Sequence, residues 1–283
     1  MRFKPFATTG VEVAVIGQGT WDIPERGARA EEAKRALRLG IERGMTHLDT
    51  AEMYGAGRAE ELLGEAIAGI ARASLFVASK VLPGNAHYRG TLTAAERSLK
   101  RLQLDYLDLF MLHWPGEHPL EDTMRALEQL VRDGKTRFVG VSNFDADEML
   151  EAASYLRSVP LACNQVLYHL KERGAEHRVI PVARERGVAI VAYTPFGRGK
   201  FPRAQSENPS VLEGVARKHA ATPRQVILAF LTRESNVFTI PKSAHVEHTQ
   251  ENAGAGDLHL DAEDVAAIDA AFPRGTPAAL ATL

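Results

Sequence analysis

Side chains whose types suit proton chemistry stand at the ends of three apolar runs. Thr46-His47-Leu48-Asp49-Thr50-Ala51-Glu52-Met53-Tyr54-Gly55 closes one run with a carboxylate and adds a tyrosine five residues later. Leu75-Phe76-Val77-Ala78-Ser79-Lys80 closes another with a lysine, and Leu112-His113-Trp114-Pro115 follows a third with a histidine. A tyrosine hydroxyl with a reference pKa of about 10 can donate a proton, and an ammonium beside it lowers that value. A carboxylate can balance the ammonium, and a neutral imidazole can hydrogen-bond a substrate oxygen. Together the four suit proton transfer to a carbonyl. Each also has a plain structural reading: Tyr54 as a packed loop ring, Asp49 and Lys80 as an ion pair, His113 as a satisfied core imidazole. A chance gathering of all four at successive strand ends is the harder explanation.

The elements that must position them are short and regular. Strand-like runs cover residues 13–16, 46–49, 75–80, 106–113, 138–142, 161–166, 189–193 and 237–241. They are apolar without alternation, as in strands buried on both faces. Between them, Ala59, Leu62, Leu63, Ala66, Ile67 and Ile70 form a helical stripe, as do Leu92, Ala95, Leu99 and Leu102. Asp145 and Glu148 have capping-box spacing, and Gly44, Gly134 and Gly187 end helical runs. Eight strand–helix units in 283 residues predict a single (β/α)8 barrel domain, 1–283, of TIM type. An N-terminal β-hairpin, 6–9 with 11–13 around Gly10, is expected to plug its base, and an extra C-terminal helix at 261–272, capped by Asp261, to pack outside. The alternative is a doubly wound sheet, but Gly17-Gln18-Gly19-Thr20-Trp21-Asp22 lacks the third glycine of a dinucleotide fingerprint.

Composition narrows the class. The chain is 45% hydrophobic and 25% charged with a net charge of -2, which gives no strong pull toward nucleic acid or a membrane surface. Its one cysteine, Cys163, excludes an intrachain disulfide and reads as a buried thiol. The first residues lack the apolar core of a signal peptide, and no run approaches the ~20 apolar residues of a membrane span. A cytoplasmic enzyme is expected, and the charged outer faces of the helices favour a monomer.

The motifs, taken in order, resemble the aldo-keto reductase family. They are Asp49-Thr50-Ala51 with Tyr54-Gly55, the strand ending at Lys80, Leu112-His113-Trp114-Pro115, Gly140-Val141-Ser142-Asn143-Phe144, Asn164-Gln165, Ala192-Tyr193-Thr194-Pro195 and Ile240-Pro241-Lys242-Ser243. The likeness is collinear over nearly the whole chain. It implies an NAD(P)H-dependent reduction of small aldehydes and ketones by a catalytic tetrad, Asp49, Tyr54, Lys80 and His113. Hydride would come from the nicotinamide, the proton from Tyr54, and no metal is needed. Trp21 and Trp114 would line the substrate pocket with Tyr54 and His113, and Met53 faces it too.

The resemblance also implies a cofactor path. Gly19, Thr20, Trp21 and Asp49 would meet it at the barrel mouth, and Ser142, Asn143 and Gln165 would bind the carboxamide. Without a ligand, that polar cluster is expected to be poorly satisfied. Tyr193 would stack on the nicotinamide, and the glycines and cations of Phe196-Gly197-Arg198-Gly199-Lys200 would hold the pyrophosphate. Lys242 and Ser243 would meet the 2′-phosphate; Glu251 and Asn252 would meet the adenine. The family commonly has arginine where this chain has His248, and a neutral histidine is the weaker phosphate anchor. NADPH is therefore the expected cofactor, with NADH tolerated. The short tail after residue 272 suggests an open pocket for small aldehydes, dicarbonyls or sugar-derived carbonyls. Two rival readings stay open here: a non-catalytic cofactor-binding barrel, and a metal-dependent hydrolase using Asp49, Glu52 and His113.

Overall fold

A computed structural model describes residues 1–199 and 209–282. The chain opens with an antiparallel pair, β1 (Phe3–Pro5) and β2 (Glu12–Ala14). This corrects the sequence expectation, which put the hairpin strands at 6–9 and 11–13 and the first barrel strand at 13–16. Residues 6–11 are instead the turn. The Phe6 N–H donates to Val11 O at 2.8 Å, and positive φ at Ala7 (55°) and Gly10 (73°) reverses the chain. The cause is Phe6 itself. It is fully buried, with its ring 4.8 Å from Phe76 and 5.1 Å from Phe238, so the chain dips inward where a strand was expected.

The repeating unit follows. β3 (Gln18–Gly19) leads to α1 (Gly27–Glu42), β4 (His47–Asp49) to α2 (Arg58–Ile67), and β5 (Phe76–Val81) to α3 (Tyr88–Leu102). β6 (Leu107–Leu112) leads to α4 (Leu120–Arg132), β7 (Thr136–Ser142) to α5 (Ala146–Ser154), and β8 (Leu161–Leu167) to α6 (Val179–Glu185). β9 (Ala189–Tyr193) is followed by two helices, α7 (Pro209–Lys218) and α8 (Pro223–Leu231). β10 (Val237–Thr239), α9 (Val246–Gly254) and the additional α10 (Ala262–Ala271) complete the described elements.

Strands β3 to β10 form one parallel sheet in sequential order. Its two edges meet. Gly17 N–H donates to Thr239 O at 2.8 Å, Gly19 N–H to Pro241 O at 3.2 Å, and bridges pair Ile16 with Thr239 and Gly19 with Lys242. The result is the expected (β/α)8 barrel. Closure removes both unpaired edges.

The barrel interior is filled from the base by Phe6, Phe76, Met111, Cys163, Val191 and Phe238. Cys163 is fully buried there, and burial pushes its thiol far above the usual range. The helix stripes pack outside the sheet: Ala59, Leu62, Leu63, Ala66 and Ile67 of α2 are all buried, while Ile70 falls beyond the end of α2 and is half-buried. Asp145 caps α5 with a reciprocal Glu148 bond, and Asp261 caps α10. Gly44, Gly134 and Gly187 take the left-handed φ their placement implies, 89°, 69° and 67°.

Candidate active site

In a parallel barrel all strand C-termini share one rim. Asp49 ends β4, Lys80 is the penultimate residue of β5, and His113 directly follows β6. Register brings them level, with Asp49 opposite Ala78 and Lys80 opposite Met111. Tyr54 opens a tight turn after β4, in which Gly55 (φ 57°) and Ala56 (φ 55°) bend the chain back over the rim.

Lys80 Nζ donates to Asp49 Oδ1 at 2.6 Å and to Thr50 O at 2.9 Å, and lies 3.4 Å from Tyr54 Oη. Lys80 is 0% exposed and Asp49 1%. A buried charge pair of this kind positions more than it stabilises, because desolvation offsets much of the attraction. The second Asp49 oxygen accepts from Gln165 Nε2 at 2.8 Å. The ammonium is therefore fixed in place, with the Tyr54 hydroxyl beside it at the cavity. The rings of Tyr54 and His113 meet edge to face, 5.7 Å between centroids.

The protonation states differ in one respect from the sequence expectation. Burial raises the Tyr54 pKa, and the Lys80 charge, which lowers it, offsets only part of that rise. The net direction is upward, so Tyr54 is a phenol at neutral pH. Lys80 is held above its ordinary value: burial acts against the charge, but Asp49 and Tyr54 outweigh it. Burial, reinforced by Lys80, lowers His113 to about 2 and keeps its imidazole neutral. Its Nδ1 is buried without a hydrogen-bond partner, and the residue lines the cavity at this rim.

Tyr54 and His113 stand in the wall of a cavity of about 480 Å³ at this rim. Trp21 and Trp114 flank them, and Met53 completes an apolar lip; Trp21 and Met53 are 41% and 37% exposed. The cavity continues past Gly19, Ser142, Asn143, Gln165 and Tyr193 to Arg198, Lys242, His248 and Asn252. Arg198 stacks over the Trp21 ring at 5.0 Å, so the loop after β9 touches the loop after β3 across the cavity mouth.

The amide cluster is better satisfied than expected. Ser142 Oγ donates to Gln165 O at 2.9 Å, and Asn143 Nδ2 donates to His113 O at 3.0 Å. Tyr193 Oη donates to Asn143 Oδ1 at 2.7 Å. Neighbouring strand ends thus satisfy one another. Other sequence candidates stand apart from the cavity wall. Thr20 is fully buried, its hydroxyl donating to Asp49 O at 3.0 Å. Ser243 Oγ donates to His245 O at 2.9 Å. Glu251 accepts from Thr222 Oγ1 at 2.7 Å, and Gly197 yields its place on the wall to Gly199. Lys200 lies outside the described residues. Glu52, offered as a metal ligand, instead accepts from Leu82 N–H at 2.8 Å and Asn85 Nδ2 at 2.9 Å, and both Asp49 oxygens are engaged.

Arg224 was missed. It lies in the first turn of α8 and lines the same cavity. Thr222 and Gln225 form a readable capping box, but nothing local says that this helix begins beside the cavity. Phe196, Pro195 and Ile240 add apolar wall. In sum, a neutral acid and imidazole sit at one end, aromatic rings and amides follow, and the cations Arg198, Lys242 and Arg224 line the remainder. That donor set fits a long ligand with a flat polar ring, a doubly anionic middle and an anionic terminus.

Comparison with known proteins gives the same answer. The profile of the aldo/keto reductase family matches residues 15–272. The methylglyoxal reductase YeaE of Escherichia coli is 39% identical over 263 residues, 93% of this chain and 92% of that protein. A glyoxal reductase of Bacillus subtilis is also 39% identical over 263 residues, 92% of this chain and 90% of the relative. A crystal structure of an aldo-keto reductase from Klebsiella pneumoniae in complex with NADPH superposes with a TM-score of 0.92 at 38% identity, covering 100% of both chains.

Proposed function

The chain belongs to the aldo/keto reductase family, and from that premise we propose how its site works and which carbonyls it takes. It is an NAD(P)H-dependent oxidoreductase that reduces aldehydes or ketones of small molecules to alcohols, with NADPH as cofactor. When bound, the reduced nicotinamide supplies the hydride. Tyr54 Oη donates the proton to the carbonyl oxygen as negative charge develops there. Its raised pKa keeps that proton in place until then. Lys80, 3.4 Å behind the hydroxyl, stabilises the phenolate left by the transfer, and Asp49 keeps Lys80 charged and oriented. His113 Nε2 orients the carbonyl oxygen without competing for the proton, because the ring stays neutral. Trp21, Trp114 and Met53 shield the reacting carbonyl from water.

Short dicarbonyls such as methylglyoxal and glyoxal are the proposed substrates. Two relatives at 39% identity are named for them, and among the described residues the cavity wall holds none beyond Asn252. No helix among the described residues is long and apolar enough to cross a membrane. We place the enzyme in the cytoplasm as a single-domain monomer, which cell fractionation and sedimentation can check.

The observation that carries the mechanism is the fixed Asp49–Lys80–Tyr54 line at the cavity floor. Tyr54→Phe tests it. Turnover of methylglyoxal with NADPH should fall by about 10²- to 10⁴-fold, the usual worth of a general acid. NADPH affinity should hold. Retained turnover would remove Tyr54 from the mechanism.

A further inference from the structure

The cavity ends on Lys242, His248 and Asn252, where the motif offered Lys242 and Ser243 for a dianionic phosphate, with His248 in the place of the family's arginine. The structure adds another group. Arg224 projects from the first turn of α8 onto the same wall. The start of α8 is locked to α9: Thr222 Oγ1 donates to Glu251 Oε1 at 2.7 Å, and Gln225 Nε2 donates to Glu251 O at 2.9 Å. Residues 248, 251 and 252 share one face of α9, being three and four apart. Holding Glu251 against the α8 start therefore holds Arg224 beside His248 and Asn252.

Among the described residues the guanidinium is not committed elsewhere. Its ion pair with Glu251 Oε2 is loose, at 3.8 Å, and it makes no side-chain hydrogen bond among the described residues. It lies over the Phe196 ring at 5.6 Å, which leaves its donors free. Its side chain is 35% exposed, open enough to meet a ligand and close enough to be held. A planar fork of N–H donors is the group best matched to phosphate, and a neutral imidazole is a poor substitute.

We propose that Arg224 is the principal 2′-phosphate anchor of this enzyme, supplying from α8 the guanidinium that residue 248 does not. This rests on the NADPH reading above. It predicts a firm preference for NADPH over NADH despite His248.

The test is calorimetric titration of wild type, Arg224→Gln and Arg224→Lys with NADP+, NAD+ and adenosine 2′-monophosphate. Arg224→Gln should weaken NADP+ and adenosine 2′-monophosphate by about 10- to 100-fold, as expected for a lost charge-assisted bond. NAD+ should stay within about twofold. Arg224→Lys should fall between, because it keeps the charge and loses the fork. If Arg224→Gln binds NADP+ as wild type does, or weakens NADP+ and NAD+ equally, Arg224 is not the anchor. Failure of wild type to bind either dinucleotide would instead sink the cofactor reading, and this inference with it.

Discussion

At the scale of single residues, burial decides the chemistry. Tyr54 and His113 move away from neutrality in opposite directions, one upward and one down to about 2, and both stay uncharged. The acid is therefore available across the physiological range, and the imidazole cannot take its proton. The expected pH profile follows. With carbonyl reduction measured as NADPH consumption, kcat should show no acid limb from His113 between about pH 5 and 8. It should fall only in alkali, above the ordinary tyrosine value of about 10, as Tyr54 loses its proton. A limb near pH 6.5 that disappears in His113→Gln would contradict the neutral assignment. The orphaned Nδ1 of His113 has the same origin, since a ring facing the cavity turns its other nitrogen into the wall.

At the scale of elements, the catalytic strand is braced from outside. Glu60 of α2 is fully buried and accepts from Ser79 Oγ at 2.6 Å and Arg101 Nε at 2.6 Å. It thereby ties α2 to β5, next to Lys80, and to α3. The two helices can approach because residue 64 has no side chain. A Cβ there would lie 2.7 Å from Leu102 O and 3.1 Å from Arg101 O. Gly64→Ala should therefore separate α2 from α3 and destabilise the fold by about 1–3 kcal/mol, the usual range for overpacking. Urea unfolding would read this as a lower midpoint at unchanged slope. An unchanged midpoint would mean that the helices part without strain. Asp145 and Asp261 cap their helices through local bonds alone, so they were legible before any packing was known.

At the scale of the whole molecule, buried histidines couple stability to pH. His47 lies in the barrel against Phe6 and Phe76, and both its nitrogens lack partners. Burial, with Lys80 adding to it, lowers its pKa to about 3. His169 is lowered too, chiefly by burial. Unfolding returns each to about 6.5. Between that value and the folded one the unfolded chain binds protons that the native chain refuses, so stability falls as pH falls. Acidification from pH 6.5 to about 4.5 should cost roughly 1 kcal/mol per pH unit for His47, which stays neutral over that range. His47→Met should remove one proton from that slope, measured as urea unfolding against pH; an unchanged slope would mean that His47 is protonated in the fold. The far end of the chain is fastened by charge. Arg173, 1% exposed as a side chain, binds Glu176 at 2.6 Å and Asp269 of α10 at 2.6 Å, which docks the last helix on the loop after β8.

The amino-acid order alone carried the strand periodicity, the helix caps, the barrel count and the four polar groups at three strand ends. These depend on neighbours within a few residues, or on repetition that folding does not alter. Tertiary structure decided the rest. The hairpin register turned on Phe6, which leaves its strand to fill the barrel base. The direction of the Tyr54 shift turned on how much water the cavity excludes, a quantity that no motif contains. Ser142, Asn143 and Gln165 satisfy one another and their neighbours because three strand ends are brought level. Arg224 belongs to the site only because α8 is bonded to α9, which begins more than twenty residues later. Local order sets which groups are present, and distance through space sets which of them meet.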